Sequence, residues 1–287
     1  MDARNTKALG LLLWPVAALA FIGCVVAGNA AYDALSPELA DGGDAYGSYA
    51  DVYDPYASCA IRTVRIRGML ATYLPPDVDG DVPSDATSSE DVVDALRAAE
   101  GDDTAEGIIL DIDSPGGYPV AAEEIANALR AVGKPTVALI RQQGMSAAYW
   151  AATGADRIVA SALSDVGSIG VTMSYVDNVE ANRQNGNGYV SLSAGKYKDA
   201  GDPNRRLTDE ERSLFQRDLD IVHALFIDAV AANRALDVSV VRAVADGSSV
   251  LGGRAKELGL IDEIGGLDEA AAYIAAQTGA DRHDVCW

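Results

Sequence analysis

The chain has 287 residues, of which 49% are apolar, so it can form one large domain or two small ones with a sizeable core. Its 43 acidic residues outnumber 22 basic ones, and the net charge of −21 argues against nucleic acid and anionic membrane surfaces as partners. An aspartate-rich composition of this kind fits either a GC-rich genome or a salt-adapted proteome.

The N-terminal region predicts a membrane anchor. Residues 1–7 carry Arg4 and Lys7, and residues 8–28, ALGLLLWPVAALAFIGCVVAG, contain no charge. A run of this length is long enough to cross the hydrocarbon core of a bilayer as a helix. The alternative is a cleavable signal peptide, although the apolar part of such a peptide usually has only about 7–15 residues.

The charges that flank this span predict its orientation. Basic residues precede it, and none follows until Arg62. The positive-inside rule then places residues 1–7 in the cytoplasm and the bulk of the chain outside it. We therefore expect a single-pass protein of the cell membrane.

Residues 29–60 predict an acidic, flexible stalk, because they are rich in Ala, Gly, Asp and Tyr and show no periodicity. Cys59 ends this region, and Cys286 lies in the C-terminal tail, residues 279–287. Outside the cytoplasm the two cysteines can pair as a disulfide, or they are two unrelated free thiols.

Strand and helix patterns alternate in residues 61–278. IRTVRIRGML, GIILDI and PTVALI read as strands, followed by the shorter runs RIVA, SIGV and YVSLSA. Helices are predicted for SSEDVVDALRAAE, AAEEIANALRAV, SAAYWAATGA and a long segment that begins with a Thr208–Glu211 capping box. Such alternation predicts an α/β domain with a largely parallel sheet.

Gly116 and Gly117 lie between a predicted buried strand and a helix, in LDIDSPGGYPVAAEEI. Two glycines at such a turn let backbone N–H groups face outward, and the helix that follows adds a positive N-terminal dipole. A turn of this kind can hold an oxyanion, or it is an ordinary tight connection. The phosphate-binding patterns G-x-x-x-x-G-K-[ST] and G-x-G-x-x-G are absent here.

Ser146 stands among small and aromatic residues in RQQGMSAAYWAATGA, directly after a predicted strand. Serine commonly opens helices, so the residue is either a nucleophile or a small residue where a helix starts. His223, in the long helix, reads as an ordinary helix residue, and His283 lies in the tail. A serine enzyme here would need another base.

Lysine can serve as that base if burial lowers its pKa. AGKYKDAGDP supplies Lys196 and Lys198, which are otherwise read as solvated surface residues. The sequence has neither H-E-x-x-H nor a Cys/His cluster, so no metal and no cofactor are expected.

Five motifs together resemble the SppA-type signal peptide peptidases. DIDSPGG, GMSAAYWAATGADRIVA, SDVGSIGV, GKYKDAGDPNRRLTDEER and GGRAKELGLIDEIGGLDEA occur in the order typical of that family. The resemblance covers residues 62–278. It implies the Clp-protease/crotonase fold of repeated β-β-α units and a membrane-anchored serine endopeptidase with a Ser/Lys dyad.

By this resemblance, the nucleophile is Ser146, the base is Lys198 rather than Lys196, and the oxyanion donors lie in the Gly116–Gly117 turn. The family usually has two glycines and two tyrosines after the serine, whereas this chain has SAAYW. The resemblance also implies a homo-oligomeric ring and peptide substrates, namely remnant signal peptides or other peptides released from membranes. It assigns no chemistry to GSIG, residues 167–170.

Two other functions fit the same fold. One is a crotonase-type acyl-CoA enzyme, in which backbone N–H groups also stabilise an oxyanion but Ser146 and Lys198 have no role. The other is a catalytically silent membrane scaffold. A fold alone does not decide among these functions.

Overall fold

The computed structural model of the chain describes residues 52–54, 58–74 and 85–286. The predicted cytoplasmic N-terminus, residues 1–7, and the predicted membrane span, residues 8–28, lie outside these ranges. Among the helices within the described ranges, none combines the length and the apolar character that a bilayer crossing needs.

A mixed sheet forms the centre of the described part of the chain. Its eight strands are β1 Ile61–Ala71, β2 Ala86–Ser88, β3 Gly107–Gly117, β4 Thr136–Met145, β5 Arg157–Ala160, β6 Asp165–Gly167, β7 Ser249–Leu251 and β8 Glu263–Ile264. The strand order is β2-β1-β3-β4-β5-β8, while β6 pairs with β4 and β7 pairs with β6. All of these pairs are parallel except β6 with β7, which confirms the predicted α/β class.

Helices cover both faces of the sheet. They are α1 Ser89–Gly101, α2 Pro119–Ala131, α3 Ala147–Ala152, α4 Val179–Gln184, α5 Asp209–Asn233, α6 Val238–Val244, α7 Gly252–Glu257 and α8 Leu267–Thr278. The larger core lies on the face that packs against α1, α2, α3 and the C-terminal part of α5. A smaller core lies on the opposite face, under α8.

The three long strands, β1, β3 and β4, are irregular part-way along their length. The site is built on the ends of these strands that lie beyond the irregularities. The pairing of β1 with β3 shifts register between Arg67 and Met69, where Gly68 has a φ of 61°. The pairing of β3 with β4 shifts between Ile112 and Ser114. Beyond its bend, β4 leaves β5 and pairs with β6 instead. Each long strand therefore acts as two shorter ones, as a β-β-α unit requires.

The predicted strands SIGV and YVSLSA are wrong. Residues 168–171 are irregular: β6 ends at Gly167, and Ser168 has a φ of 51°, which is incompatible with an extended strand. Residues 189–194 are exposed and pair with no strand in the described part of the chain. An apolar pattern forms a strand only where a neighbouring strand accepts its hydrogen bonds.

Helix α5 begins as predicted, and its apolar residues are fully buried only near its C-terminal end. The Thr208–Glu211 capping box is present, with the Thr208 hydroxyl accepting from the Glu211 N–H group at 3.2 Å. Phe226 and Val230 are buried, whereas Ile221 and Leu225 are more than half exposed. Apart from Glu211, the buried residues of this helix thus lie at or beyond Phe226.

The two ends of the described chain meet beside β1. Cys59 and Cys286 form a disulfide, with their Cα atoms 5.8 Å apart, and the Cys286 N–H group donates to the Ile61 carbonyl at 3.0 Å. Val52 and Tyr53, at the end of the predicted stalk, are buried in the larger core. The folded part of the chain thus starts before residue 61, and its C-terminal tail is attached to it.

Replacing Cys286 with serine should lower the free energy of unfolding by up to about 5 kcal/mol, because the disulfide links residues 227 positions apart and restricts the unfolded chain. Thermal unfolding of the full chain with and without a reductant measures this. The reductant should bring the wild-type midpoint to that of Cys286→Ser and leave the variant unchanged. Cys24→Ser is the control and should behave like wild type; a wild-type midpoint indifferent to reductant contradicts the prediction.

Candidate active site

Ser146 lies at the turn between β4 and α3 in an unfavourable backbone conformation. Its φ is 50° and its ψ is −124°, values that a residue with a Cβ atom rarely adopts. Such strain costs on the order of 1–3 kcal/mol and persists only where the surroundings impose it. A strained serine at a strand-to-helix turn is also how α/β-hydrolases present their nucleophile.

The surroundings of Ser146 do impose this conformation. The Ser146 N–H group donates to the Gly167 carbonyl at 2.7 Å, and its own carbonyl accepts from Trp150 at 3.0 Å. All six residues of α3 are buried. The Tyr149 hydroxyl donates to the Leu260 carbonyl at 2.8 Å, and burial raises the pKa of this tyrosine. GSIG therefore has a structural part in the site, because its first glycine fixes the serine backbone.

The Gly116–Gly117 turn lies directly against Ser146. A Cβ atom added to Gly116 would come within 2.7 Å of the Ser146 Cβ and 2.9 Å of the Met145 carbonyl oxygen. The φ of Gly116 is also 112°, which disfavours any other residue. The structure thus brings together the predicted nucleophile and the predicted oxyanion turn.

Ser114 holds this turn in place and was not identified from the sequence. Its side chain is fully buried, and its hydroxyl donates to the Gly68 carbonyl at 2.6 Å and accepts from the Gly116 N–H group at 3.1 Å. The N–H group of Gly116, one of the two predicted oxyanion glycines, therefore already donates a hydrogen bond within the protein. Gly117 lines the cavity at Ser146.

Ala147 offers a second backbone donor at the same place. It is the first residue of α3, and the first N–H groups of a helix have no partner within the helix. It also lines the cavity beside Ser146. Gly117 and Ala147 thus line the same cavity as Ser146.

A cavity of about 730 Å³ opens at Ser146. Much of its wall is apolar, and within it the rings of Trp150 and Phe226 stack with centroids 5.0 Å apart. This volume and lining suit an extended peptide with an apolar side chain at the site. The main apolar lining residues are Met69, Tyr118, Trp150, Val171, Val222 and Phe226.

His223 also lines this cavity, although the sequence predicts only an ordinary helix residue there. Its Nε2 atom is buried and has no hydrogen-bond partner in the described part of the chain. Neither Ser146 nor a carboxylate therefore orients the imidazole, and a Ser-His-Asp arrangement is not assembled among the described residues. No sequence signal distinguishes this histidine from others on an amphipathic helix.

Lys198 is not among the described residues that line the cavity. It belongs to residues 171–208, here called the arm, which are largely irregular apart from α4. Its side chain is exposed, and no described carboxylate pairs with it. Lys196, in contrast, forms an ion pair with Glu210, and this hydrogen bond raises the pKa of the lysine. The structure does not bring Lys198 to Ser146 within one chain.

An arginine fixes the segment that carries Lys198. Arg205 donates to the Asp199 carbonyl at 2.8 Å and to the Glu211 carboxylate at 3.0 Å, and so ties the segment to the start of α5. The hydrogen bonds from Arg205 lower the pKa of Glu211 to about 2. Lys198 is therefore exposed but held on an ordered segment.

No metal-binding cluster accompanies this arrangement in the described ranges. They contain no group of three or more His, Cys, Asp or Glu residues placed to hold a metal ion. The groups that line the cavity include the Ser146 hydroxyl, the His223 imidazole and the Asp246 carboxylate.

Comparison with known proteins identifies the family. Residues 128–281, more than half of the chain, match the family model described as Peptidase family S49. The chain belongs to peptidase family S49. The match includes Ser146 and Lys198 but begins after the Gly116–Gly117 turn. The resemblance to SppA-type peptidases is thereby confirmed.

Individual S49 relatives extend the match toward the N-terminus. A candidate protease of Methanocaldococcus jannaschii is 34% identical over 67% of this chain and 62% of its own length. The chloroplastic serine protease SPPA of Arabidopsis thaliana is 30% identical over 72% of this chain but only 30% of its own length. A candidate protease of Synechocystis is 32% identical over 68% of this chain and 70% of its own length. The chain thus covers less than two thirds of the first two relatives.

Replacing Gly116 with alanine should lower kcat by at least two orders of magnitude, because the added methyl group must displace either Ser146 or the turn. Peptide hydrolysis by the full chain measures this. Gly101→Ala is the matched control, because a Cβ atom there meets nothing within 4 Å. Wild-type kcat in a folded Gly116→Ala variant would show that catalysis does not depend on the close contact between the two turns.

Proposed function

We propose that this S49 peptidase is a membrane-anchored serine endopeptidase in which Ser146 is the nucleophile and Lys198 is the base. One observation carries the proposal: the backbone of Ser146 is held at a positive φ against the Gly116–Gly117 turn, at the mouth of a cavity. An acyl-CoA enzyme or a silent scaffold has no need of a strained serine at that place. The bent strands also suit the β-β-α units of the Clp-protease/crotonase fold.

The proposed reaction is acyl transfer in two steps. Neutral Lys198 accepts the Ser146 hydroxyl proton as the serine oxygen attacks the peptide carbonyl carbon. The oxyanion accepts hydrogen bonds from the Gly117 and Ala147 N–H groups. Protonated Lys198 then donates its proton to the departing amine as the C–N bond breaks. Water releases the acyl group from Ser146 by the reverse sequence of proton transfers.

The environment of the two lysines supports Lys198 as the base. A base must be neutral, and a lysine that pairs with a carboxylate is stabilised in its charged form. Lys196 has such a partner in Glu210, whereas Lys198 has none among the described residues. Burial without any other change would therefore favour the neutral form of Lys198, whereas Lys196 would also have to lose its carboxylate partner.

A second copy of the chain would complete the site. Lys198 is exposed on the arm, and the same arm exposes apolar side chains that a lone protomer leaves in water. Leu192 and Val190 have exposed fractions of 96% and 82%. Contact with a neighbouring copy would bury them and carry Lys198 to the partner's cavity, as in a ring of protomers. The exposed apolar residues of the arm are Met173, Tyr175, Val176, Tyr189, Val190 and Leu192.

The proposed location and substrates follow from the N-terminal sequence and the cavity. Residues 8–28 would anchor the chain with its catalytic domain outside the cytoplasm. A ring on the membrane surface would admit extended peptides and exclude folded proteins. We propose remnant signal peptides, or other peptides released from the membrane, as its substrates.

Ser146→Ala and Lys198→Ala should each lower peptidase activity by several orders of magnitude and leave the fold intact. Lys196→Ala is the matched control and should have a mild effect, because its ion pair with Glu210 is exposed. Cleavage of a synthetic signal peptide by the full chain, followed by mass spectrometry, measures this. A serine-reactive phosphonate should label wild type but not Ser146→Ala.

The pH profile separates the lysine base from His223. With Lys198 as the base, kcat/KM should rise with pH through one ionisation on the alkaline side, because only the neutral amine accepts the proton. A profile with a histidine-like midpoint that is lost in His223→Gln, or an inactive Lys196→Ala with an active Lys198→Ala, would contradict this assignment.

Mixing Ser146→Ala with Lys198→Ala protein should restore part of the activity if the dyad spans two protomers. Each variant is inactive alone, but a mixed ring contains some interfaces with both wild-type residues. Hydrolysis after subunit exchange measures this, with exchange itself followed by fluorescent labels on the two variants. Confirmed exchange without any recovered activity would place the dyad within one chain.

A further inference from the structure

The catalytic cavity has a single formal charge on its wall. Among the lining residues that the structure describes, only Asp246 carries a carboxylate, and none is a lysine or an arginine. Asp246 follows α6 and reaches the cavity next to Gly247, whose carbonyl accepts from the Ser168 hydroxyl at 2.8 Å. The charge therefore lies on the same wall as the segment that positions Ser146.

Asp246 is held in one orientation and kept ionised. Its Oδ1 atom accepts from the Ser248 N–H group at 2.9 Å and from the Ser248 hydroxyl at 2.6 Å. These hydrogen bonds lower the pKa of the carboxyl. No cationic side chain in the described ranges forms an ion pair with it, so its charge is available to a ligand.

We propose that Asp246 is a specificity-determining residue that favours peptides with a basic side chain near the cleaved bond. This inference rests on the proposed peptidase function. The apolar wall at Trp150 and Phe226 would take an aliphatic side chain, while the fixed carboxylate would attract a guanidinium or ammonium group from another position of the same peptide.

A role in holding the lysine base fits the chemistry less well. A carboxylate beside Lys198 would stabilise the ammonium form and raise its pKa, whereas catalysis requires the neutral amine. A cationic substrate group has no such requirement. The fixed charge of Asp246 therefore suits the substrate better than the base.

The test compares peptides that differ only by arginine or citrulline, which have nearly the same shape but differ in charge. The pair is made at each position flanking the cleaved bond, and kcat/KM is measured with the full chain. Wild type should prefer arginine at one position by about fivefold, the effect expected of an exposed ion pair. Added salt should weaken this preference.

Asp246→Asn should abolish the preference, because asparagine retains the oxygen that accepts from Ser248 but loses the charge. Asp237→Asn is the matched control. Asp237 accepts from Ser239 in the same way, at 2.7 Å and 2.5 Å, but does not line the cavity. Both variants change the net charge by one, so a general attraction of cationic peptides to this acidic protein would affect them equally.

The outcomes separate this inference from the proposed function. Equal cleavage of arginine and citrulline peptides by wild type overturns the role of Asp246 and leaves the peptidase assignment intact. Loss of the preference in Asp237→Asn as well, or a change in the pH profile of Asp246→Asn without a change in preference, also overturns it. Cleavage of neither peptide overturns both proposals.

Discussion

The site depends on the close approach of two strand-to-helix turns, at Gly116 and at Ser146. The turns can touch only because residue 116 has no side chain: a Cβ atom there would lie 2.7 Å from the Ser146 Cβ. Gly117 is equally constrained on its other side, where a Cβ atom would lie 2.1 Å from the Leu70 carbonyl oxygen. The register shifts in β1, β3 and β4 lie just before the ends of these strands, where the proposed nucleophile and the proposed oxyanion donors meet.

Local patterns in the sequence predict most of the strands and helices and identify the glycine pair and the serine of the candidate site. Continuous apolar runs such as GIILDI predict strands because parallel strands are buried on both faces. The glycine pair and the serine are visible because each follows such a run. The bends are not visible, since they depend on register shifts between strands distant in sequence, and those shifts leave no periodic signal. SIGV illustrates the limit, because the positive φ of Ser168 ends the extended backbone where this run begins, and the carbonyl that supports Ser146 belongs to the preceding Gly167.

The remaining wall of the cavity comes from residues that only the fold brings near Ser146. His223 lies on a helix that begins more than sixty positions later in the chain, and Asp246 follows the next helix. In the sequence, Asp246 with Ser248 has the same appearance as Asp237 with Ser239, which caps α6. Local chemistry is identical in the two pairs, so tertiary position alone distinguishes a possible substrate contact from a helix cap.

The separation of serine and lysine suggests why assembly would activate the proposed enzyme. Ser146 needs a rigid core, because only dense packing holds its strained backbone. Lys198, in contrast, is exposed on the arm of a single protomer and does not line the cavity at Ser146. Burial removes a lysine from water and disfavours its charged form, and contact of the arm with a neighbour would supply that burial. In the proposed ring, the same contact between protomers would bring Lys198 to Ser146 and remove the lysine from water. A protomer that has not assembled would therefore not cleave peptides.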